Sequence, residues 1–452
     1  MATVLLYGLG RSGLAAGRLL ARQGHRPVFF DQRHDGPDID QALDAGWRRV
    51  SDPLDTDAAT CIAAPGVPID HPDLVRLRAA GIETIGEVEW VARTVDAPIV
   101  GVTGTAGKGT VTRWLAALLR AAGIDAVAGG NLDPALAAVA EPNRWLIVEL
   151  SSFQLERCPT FHPRIAAFTV LGRDHLDRHG DVASYHALKR KLLDALGPED
   201  LAILNARDPV QRAWADATPA RVALYDAGPD LVSDHRLCAT VRNGRLELDG
   251  VDLGPDSALR PAGRHQRANL LAAALAAQAA GATPAVIAAA IPELDAAPDR
   301  HELIAARCGV RFVNDSIATR ELAVAASLEA AVPPVVWIAG GRDKGSDPES
   351  LRALVTERVA ELIGIGESGP ELVRHFHGSV PGLAVNEASG QESLRQAVRH
   401  GAETLRRMGG GTVLLAPLAT SFDQFADYAE RGRAFRQAVH ELLKEDPWTG
   451  CC

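Results

Sequence analysis

The chain has 452 residues, which at about 150 residues per domain predicts roughly three folding units. Its composition, 47% apolar and 23% charged, is that of a globular protein, and a net charge of -10 argues against a general nucleic-acid binder or a membrane-surface protein. Met1 leads directly into Val4-Leu5-Leu6-Tyr7 with no basic and apolar leader, and the six cysteines are scattered without metal-type spacing. These features predict a cytoplasmic chain with inert, buried thiols.

Short aliphatic runs alternate with Ala/Leu/Arg stretches of helical period, which predicts an α/β fold with largely parallel sheets. Three series follow one another, giving expected domains at 1–95, 96–297 and 298–452. The first runs from Val4 through Phe29-Phe30-Asp31 and Cys61-Ile62-Ala63-Ala64 and ends near Pro98. The second opens at Pro98-Ile99-Val100-Gly101, carries a hairpin on Asn243-Gly244, and closes on the linker Asp295-Ala296-Ala297-Pro298. Within it the apolar stretch Leu270 to Ile291 is broken by Gln278, Gly281 and Pro284, which predicts two packed helices rather than a membrane span. The third restarts at Val310-Arg311-Phe312-Val313 and includes strands at Val335 to Ala339 and Thr412 to Ala416.

Gly8-Leu9-Gly10-Arg11-Ser12-Gly13 follows a strand and precedes a helix, with Asp31 at the end of the next strand. Such a loop brings backbone amides and a helix N-terminus to a pyrophosphate, and the acid to a ribose hydroxyl. A tight packing turn and a nicotinamide-dinucleotide site both remain open for it. Val102-Thr103-Gly104-Thr105-Ala106-Gly107-Lys108-Gly109-Thr110-Val111 is sharper, because strand, glycine loop, lysine and helix come in the order a phosphate loop needs. Its helix is expected from Val111 to Ala122. Gly109 replaces the usual hydroxyl after the lysine, so either Thr110 reaches magnesium or carboxylates and water hold the ion. Glu149 ends the apolar strand Trp145 to Val148, where a metal bridging ATP phosphates needs an oxygen. Ser151 after it reads as a helix cap or a ligand contact. Lysine is scarce, five (Lys108, Lys189, Lys191, Lys344 and Lys444) among 47 basic residues, so a lysine here is more often than usual chosen for its chemistry, although taken alone the turn histidine His175 and the helical Lys189 read as solvated side chains.

Phosphate loop, Glu149 strand, Asp174-His175-Leu176-Asp177 turn and Lys189 occur in this order, and on these the chain resembles the Mur ligase family over essentially its full length. Gly129-Gly130-Asn131, Glu149 to Gln154, Asn314-Asp315-Ser316, Gly340 to Lys344 and Ser421-Phe422-Asp423-Gln424-Phe425 are most similar to the glutamate-adding member. The resemblance implies a Rossmann-like UDP-binding domain, a central phosphate-loop ATPase domain and a C-terminal Rossmann-like domain that closes with the amino acid. It implies UDP-substrate contacts at Gly10, Arg11, Ser12, Asp31, Arg33, Gly66, Asn131, Ser151 and Gln154. ATP would be met by Gly104 to Val111, Asn269, Arg300 and Asp315, and glutamate by Thr319, Lys344, Ser421 and Phe422. Two magnesium ions would rest on Glu149, His175, Thr110 and Lys189, the last carrying a carbamate from CO2. Lys108, Glu149, His175 and Lys189 would be the catalytic set of a monomeric ligase joining glutamate, D-glutamate by preference, to UDP-N-acetylmuramoyl-L-alanine through an acyl phosphate.

Two departures stand out: Gly109, and Ile317 where the family has lysine, with Arg320 the nearest replacement. They motivate two alternatives, the same chemistry with L-glutamate or another amino acid, and a non-catalytic UDP-sugar and ATP sensor. A folate polyglutamylating ligase fits less well, because about a hundred residues precede the phosphate loop here.

Overall fold

The computed structural model describes residues 1–228, 234, 236–260, 263–295, 298–387 and 389–445. The Ala296-Ala297 part of the expected linker, the Cys451-Cys452 pair and the side chain of Asp177 lie outside the described set. The chain forms two compact units, one of 1–258 with 268–292, the other of 259–267 with 293–452.

The first unit holds two sheets. One takes β1 (Thr3–Tyr7), β2 (Arg26–Phe30), β3 (Arg48–Arg49), β4 (Thr60–Ala63) and β5 (Glu83–Ile85) in the order 3-2-1-4-5, all parallel. The other takes β6 (Ile99–Thr103), β7 (Ala126–Gly130), β8 (Trp145–Glu149), β9 (Ile165–Phe168), β10 (Leu201–Asn205), β11 (Arg221–Asp226), β12 (Leu237–Arg242), β13 (Arg245–Leu248) and β14 (Val251–Pro255). Its order is 14-13-12-11-10-9-6-8-7, with β12, β13 and β14 antiparallel and the rest parallel. Strands covered by helices on both faces read as continuous apolar runs, as Val4 to Tyr7 and Leu146 to Val148 do. The β12–β13 connection is the expected two-residue hairpin: Arg242 pairs with Arg245, and Asn243 and Gly244 take the positive φ such a turn needs.

Helices Arg11–Arg22 and Glu87–Thr94 bury Leu19, Val88 and Val91 in the same core as Leu146, Val148 and Phe168 of the second sheet, while the strands of the first sheet pack in clusters of their own. The stretch after Leu270 is two helices, Arg264–Ala279 and Pro284–Ala290, the second started by Pro284 behind a Thr283 cap. Among the described residues no helix is long and apolar enough to cross a membrane.

The second unit carries β15 (Glu302–Arg307), β16 (Val310–Asn314), β17 (Val335–Gly340), β18 (Val359–Ile365), β19 (Gly382–Val385) and β20 (Gly411–Leu415) in the order 15-16-20-17-18-19. Only β15 runs antiparallel to its neighbour. This edge strand precedes the start expected at Val310; its run Leu303-Ile304-Ala305-Ala306 is apolar but half-buried or exposed, as an edge position allows. Of the described cysteines Cys61 is buried, but Cys158, Cys238 and Cys308 are only partly so. The expectation of uniformly buried thiols is corrected accordingly: Cys238 is half-buried on β12, between β11 and β13, and Cys308 lies in the turn between the edge strand β15 and β16.

Candidate functional site

The first sheet reverses its winding between β1 and β4, where open α/β sheets bind ligands. Two glycines of the loop after β1 are required by the chain itself. Gly8 has φ +89°, and a Cβ on Gly13 would lie 2.3 Å from the Gly8 carbonyl oxygen. Gly10, which precedes helix Arg11–Arg22, has nothing within 4 Å of an added Cβ, so open space lies in front of it. Asp31 is largely consumed internally: Oδ2 accepts from the Leu9 amide at 2.7 Å, Oδ1 from the Arg33 amide at 2.9 Å and Arg33 Nε at 3.0 Å. Burial alone would raise its carboxyl, but the Arg33 and backbone hydrogen bonds outweigh burial and hold it below the usual range. Arg33 also donates to the Leu9 carbonyl at 2.7 Å, so Asp31 and Arg33 fix the loop as one piece. Ser12 is half-buried in the first helical turn, and Arg11 donates to the Asn131 carbonyl at 2.7 Å. Gly66 is exposed after β4, and its turn is held by Arg157 and Arg178, which both donate to the Val67 carbonyl.

In the second sheet β6 lies between β8 and β9, and the phosphate loop leaves its carboxyl end. The helix begins at Lys108 rather than Val111, so Gly109, Thr110 and Val111 are its first turn and the loop proper is Gly104–Gly107. Free amides and the positive end of the helix therefore face one spot, a ready anion site. A Cβ on Gly104 would lie 1.9 Å from Thr169 Oγ1, and one on Gly107 2.4 Å from Asn269 Oδ1; Asn269 is thus packed on the loop. Thr105 Oγ1 accepts from the Gly172 amide at 2.9 Å, tying the loop to the segment after β9. Lys108 Nζ folds back to donate to the carbonyls of Gly104 at 3.1 Å and Thr105 at 2.9 Å.

Lys189, from helix Val182–Asp194, reaches the same Gly104 carbonyl at 2.6 Å, with its ammonium 4.5 Å from the centre of the Tyr185 ring. Its side chain is 1% exposed. Burial pushes its ammonium well below the usual lysine value, Lys108 adds repulsion, and Asp174 and Glu149 only partly oppose this. Glu149 is buried at the end of β8; Oε1 accepts from Asn131 Nδ2 at 2.8 Å, while Oε2 is buried with no partner among the described residues. An acceptor oxygen left bare in the interior is costly unless a cation or donor meets it, so this position suits a divalent cation. Among the described residues no three His, Cys, Asp or Glu side chains converge as a metal cage, so an ion here needs further oxygens beyond those types. Thr110 is buried in the adjacent helical turn. His175 stands in a left-handed conformation, paired with Asp174 at 3.4 Å and set against the Phe153 ring at 4.6 Å. Ser151 and Gln154 form a reciprocal capping box, the helix-cap alternative for Ser151.

In the second unit Asn314 ends β16 and Asp315 follows it, buried; burial pushes its carboxyl up to about 7 against the opposing pull of Ser327 and Arg300. Ser421 is buried, Phe422 and Lys344 are exposed, and Thr319 and Ile317 are half-buried. Arg320 Nη1 donates to the Lys344 carbonyl at 3.4 Å, which brings the proposed substitute for the missing lysine beside Lys344. Sequence reasoning passed over Arg431, 1% exposed, which donates to Ser316 Oγ at 3.1 Å, the Ser316 carbonyl at 2.9 Å and the Ala419 carbonyl at 3.1 Å. It clips the Asn314-Asp315-Ser316 turn to the segment before Ser421. Tyr185, whose ring lies beside Lys189, was also missed; a buried tyrosine one helical turn before a rare lysine was the only signal.

A phosphate loop at a switch point, a buried carboxylate with a bare oxygen and a buried lysine on the loop define a nucleotide-using α/β enzyme. The residues 102–277 match the Mur ligase middle domain, and residues 2–86 the Mur ligase MurD-like N-terminal domain. The chain is 42% identical over 98% of its length to UDP-N-acetylmuramoylalanine--D-glutamate ligase of Thermus thermophilus, covering 99% of that protein. It is also 42% identical to the Deinococcus radiodurans protein of the same name, over 99% of this chain and 94% of that one. A pseudomurein peptide ligase type C from Methanothermus fervidus shares the fold, with a TM-score of 0.62 and 16% identity over 98% of this chain and 100% of that one. The chain belongs to the Mur ligase family, and is thereby an ATP-dependent ligase that works with magnesium.

Proposed function

We propose that the protein adds D-glutamate to UDP-N-acetylmuramoyl-L-alanine at the expense of ATP, a cytoplasmic step of peptidoglycan precursor synthesis. The names of its near-full-length relatives support the two substrates. The observation that carries the chemistry is the meeting of Lys108 and Lys189 on the Gly104 carbonyl, with the charge of the buried Glu149 acting on Lys189. Every residue given a role comes from one chain, so a monomer suffices.

In this reading the Gly104–Gly107 amides and the N-terminus of helix Lys108–Ala121 receive the ATP phosphates. Lys108 exchanges its two loop carbonyls for phosphate oxygens, and Asn269 faces the adenine. A carboxylate oxygen of the alanyl substrate attacks the γ-phosphorus, the bond to the β-phosphate oxygen breaks, and ADP leaves. The glutamate amine then attacks the acyl carbon, its proton is lost, and phosphate departs with the amide formed. A divalent cation at Glu149, His175 and Lys189, with Thr110 nearby, would neutralise the crowded phosphate oxygens. Lys189 suits this because burial favours its neutral amine: Nζ adds CO2 to give a carbamate and releases one proton, turning a donor into an acidic ligand. Gly10, Arg11, Ser12, Asp31, Arg33, Gly66 and Asn131 are assigned to the UDP-sugar, with Ser151 and Gln154 held by their capping box at its edge. Arg300 and Asp315 are assigned to ATP, and Thr319, Lys344, Ser421 and Phe422 to glutamate, with Arg320 in place of the absent lysine.

The test is phosphate release measured with ATP and each substrate omitted in turn. Release that needs both UDP-N-acetylmuramoyl-L-alanine and D-glutamate is expected. No release with both refutes the ligase reading in favour of a sensor, release without either marks an uncoupled ATPase and refutes it too, and preferential use of L-glutamate in competition refutes the D-specific part.

A further inference from the structure

Arg157 is 3% exposed, yet its guanidinium is only partly satisfied. Nη2 donates to the Val67 carbonyl, while Nε and Nη1 are buried with no hydrogen-bond partner among the described residues, the latter 3.9 Å from Glu156 Oε2. Burial, opposed by Glu156 and reinforced by the neighbouring charge of Arg178, holds the guanidinium below the usual arginine value. A charge buried with bare donors is a poor stabiliser, and an apolar side chain of similar size often serves the fold as well or better. What Arg157 holds in place is therefore the better guide to its role.

Arg157 follows the Ser151 and Gln154 capping box beyond the carboxyl end of β8, and it reaches two points of the first sheet. Its main-chain carbonyl accepts from the Gly86 amide at 2.9 Å, at the start of helix Glu87–Thr94. Its side chain meets the turn after β4, in which the Val67 amide donates to the Ala64 carbonyl at 3.1 Å. That turn packs beside the glycine loop after β1, since a Cβ on Gly8 would lie 3.0 Å from Ala64 Cβ. Gly66 in its middle has nothing within 4 Å of an added Cβ, so the turn faces open space at the switch point.

Arg178 brings a second guanidinium to the same turn from another segment. It donates to the Val67 carbonyl at 3.1 Å and the Gly66 carbonyl at 3.4 Å, is held by Glu156 through Nε at 3.1 Å and Nη2 at 2.5 Å, and lies 4.3 Å from the centre of the Phe153 ring. A carbonyl oxygen has two lone pairs, so donors from two separate segments occupy both and fix the direction of the turn. Because Arg178 serves Glu156 and Val67 as well, neither is left bare when Arg157 is removed.

We propose that Arg157 is a positioning residue for the UDP-sugar: it holds the Pro65-Gly66-Val67 turn against the 151–157 segment beside the second sheet, and so sets the affinity for that substrate without touching it. The proposal rests on the reading of Gly66 as a UDP-sugar contact. With the turn ordered by folding, binding does not have to order it, which is the gain of preorganisation.

The experiment compares the full wild-type chain with Arg157→Met, Arg157→Lys and Gly66→Val by thermal unfolding, equilibrium binding of UDP-N-acetylmuramoyl-L-alanine, and steady-state kinetics with each substrate varied. Arg157→Met is expected to melt no lower than wild type, because it removes a half-satisfied buried charge and strands no partner. Its Kd and KM for the UDP-sugar rise about tenfold, the loss of one hydrogen bond from a charged group. KM for ATP, KM for glutamate and kcat stay within about twofold. Arg157→Lys keeps the charge on a single ammonium and shows the same split at a smaller size; should Arg157→Met fail to fold, this variant carries the test. Unchanged UDP-sugar affinity in the folded variant overturns the proposal, and so does a lowered melting temperature with all three KM values raised alike, the mark of a merely structural role. Gly66→Val separates the two layers. If it leaves UDP-sugar affinity unchanged, the reading of the turn as a contact has failed; if it weakens binding while Arg157→Met does not, positioning alone has failed.

Discussion

Glu87 gives a stability prediction whose size follows from its surroundings. It opens helix Glu87–Thr94 in the interior of the first unit, where Oε1 accepts from the Ala137 amide at 2.5 Å and Oε2 is buried without a partner among the described residues. Burial pushes its carboxyl from the ordinary 4.5 to about 7, against the Ala137 amide and the distant charge of Arg11. Between these two values the folded state holds a proton that the unfolded chain has released, so this group's contribution is most favourable below the ordinary value and is lost as pH rises toward 7. At about 1.36 kcal/mol per pH unit the loss is roughly 3 kcal/mol. Glu87→Gln keeps the acceptor for Ala137 but cannot ionise, so it removes the slope whatever constant offset its amide introduces. The assay is denaturant unfolding of both proteins from pH 5 to pH 8. The stability difference should move in favour of glutamine by about 2–3 kcal/mol across that range. A difference that is flat with pH would show that the carboxyl is not desolvated and refute the reasoning.

Gly13→Ala should destabilise the first unit by about 1–3 kcal/mol, since its Cβ meets a backbone carbonyl; Gly10→Ala should leave the melting temperature unchanged yet raise KM for the UDP-sugar, and equal melting shifts in both would contradict this. Arg431→Lys should cost about 2–4 kcal/mol in unfolding experiments, because a lysine cannot serve Ser316 and Ala419 together, and an unperturbed variant would remove Arg431 from its clipping role. Arg320→Ala should raise KM for D-glutamate roughly ten- to a hundredfold, with Ile317→Lys restoring much of the loss in the same background. If KM for glutamate does not change, Arg320 is not the substitute cation. Lys189→Arg should abolish turnover while the fold persists, since a guanidinium cannot take up CO2, and retained turnover would argue against a carbamate.

What the sequence made legible was what depends on local chain chemistry. The Asn243-Gly244 hairpin, the helix break at Pro284 and the strand-loop-helix run around Lys108 each follow from residues adjacent in the chain. The helix start was misread by three residues because the glycines of a phosphate loop look like loop until Gly109 is seen inside the first turn. The strand Glu302–Arg307 has an apolar run, Leu303-Ile304-Ala305-Ala306, that was passed over; its residues are half-buried or exposed, unlike those of the central strands. Long-range partners were invisible for a different reason. That Asp31 accepts from Leu9, that Asn131 holds Glu149, and that Arg431 crosses to Ser316 are facts of packing between segments separated in sequence. Lys189 is the intermediate case. Its rarity marked it as chemically chosen, but only the fold brings its Nζ to the Gly104 carbonyl beside Lys108.

The central claim is that ATP is used to convert the alanyl carboxylate into an acyl phosphate at the loop shared by Lys108 and Lys189. Turnover of UDP-N-acetylmuramoyl-L-alanine carrying heavy oxygen in that carboxyl, with mass analysis of the released phosphate, tests it most directly. Phosphate bearing one heavy oxygen from the substrate is the predicted result; amide formation with unlabelled phosphate would contradict the account.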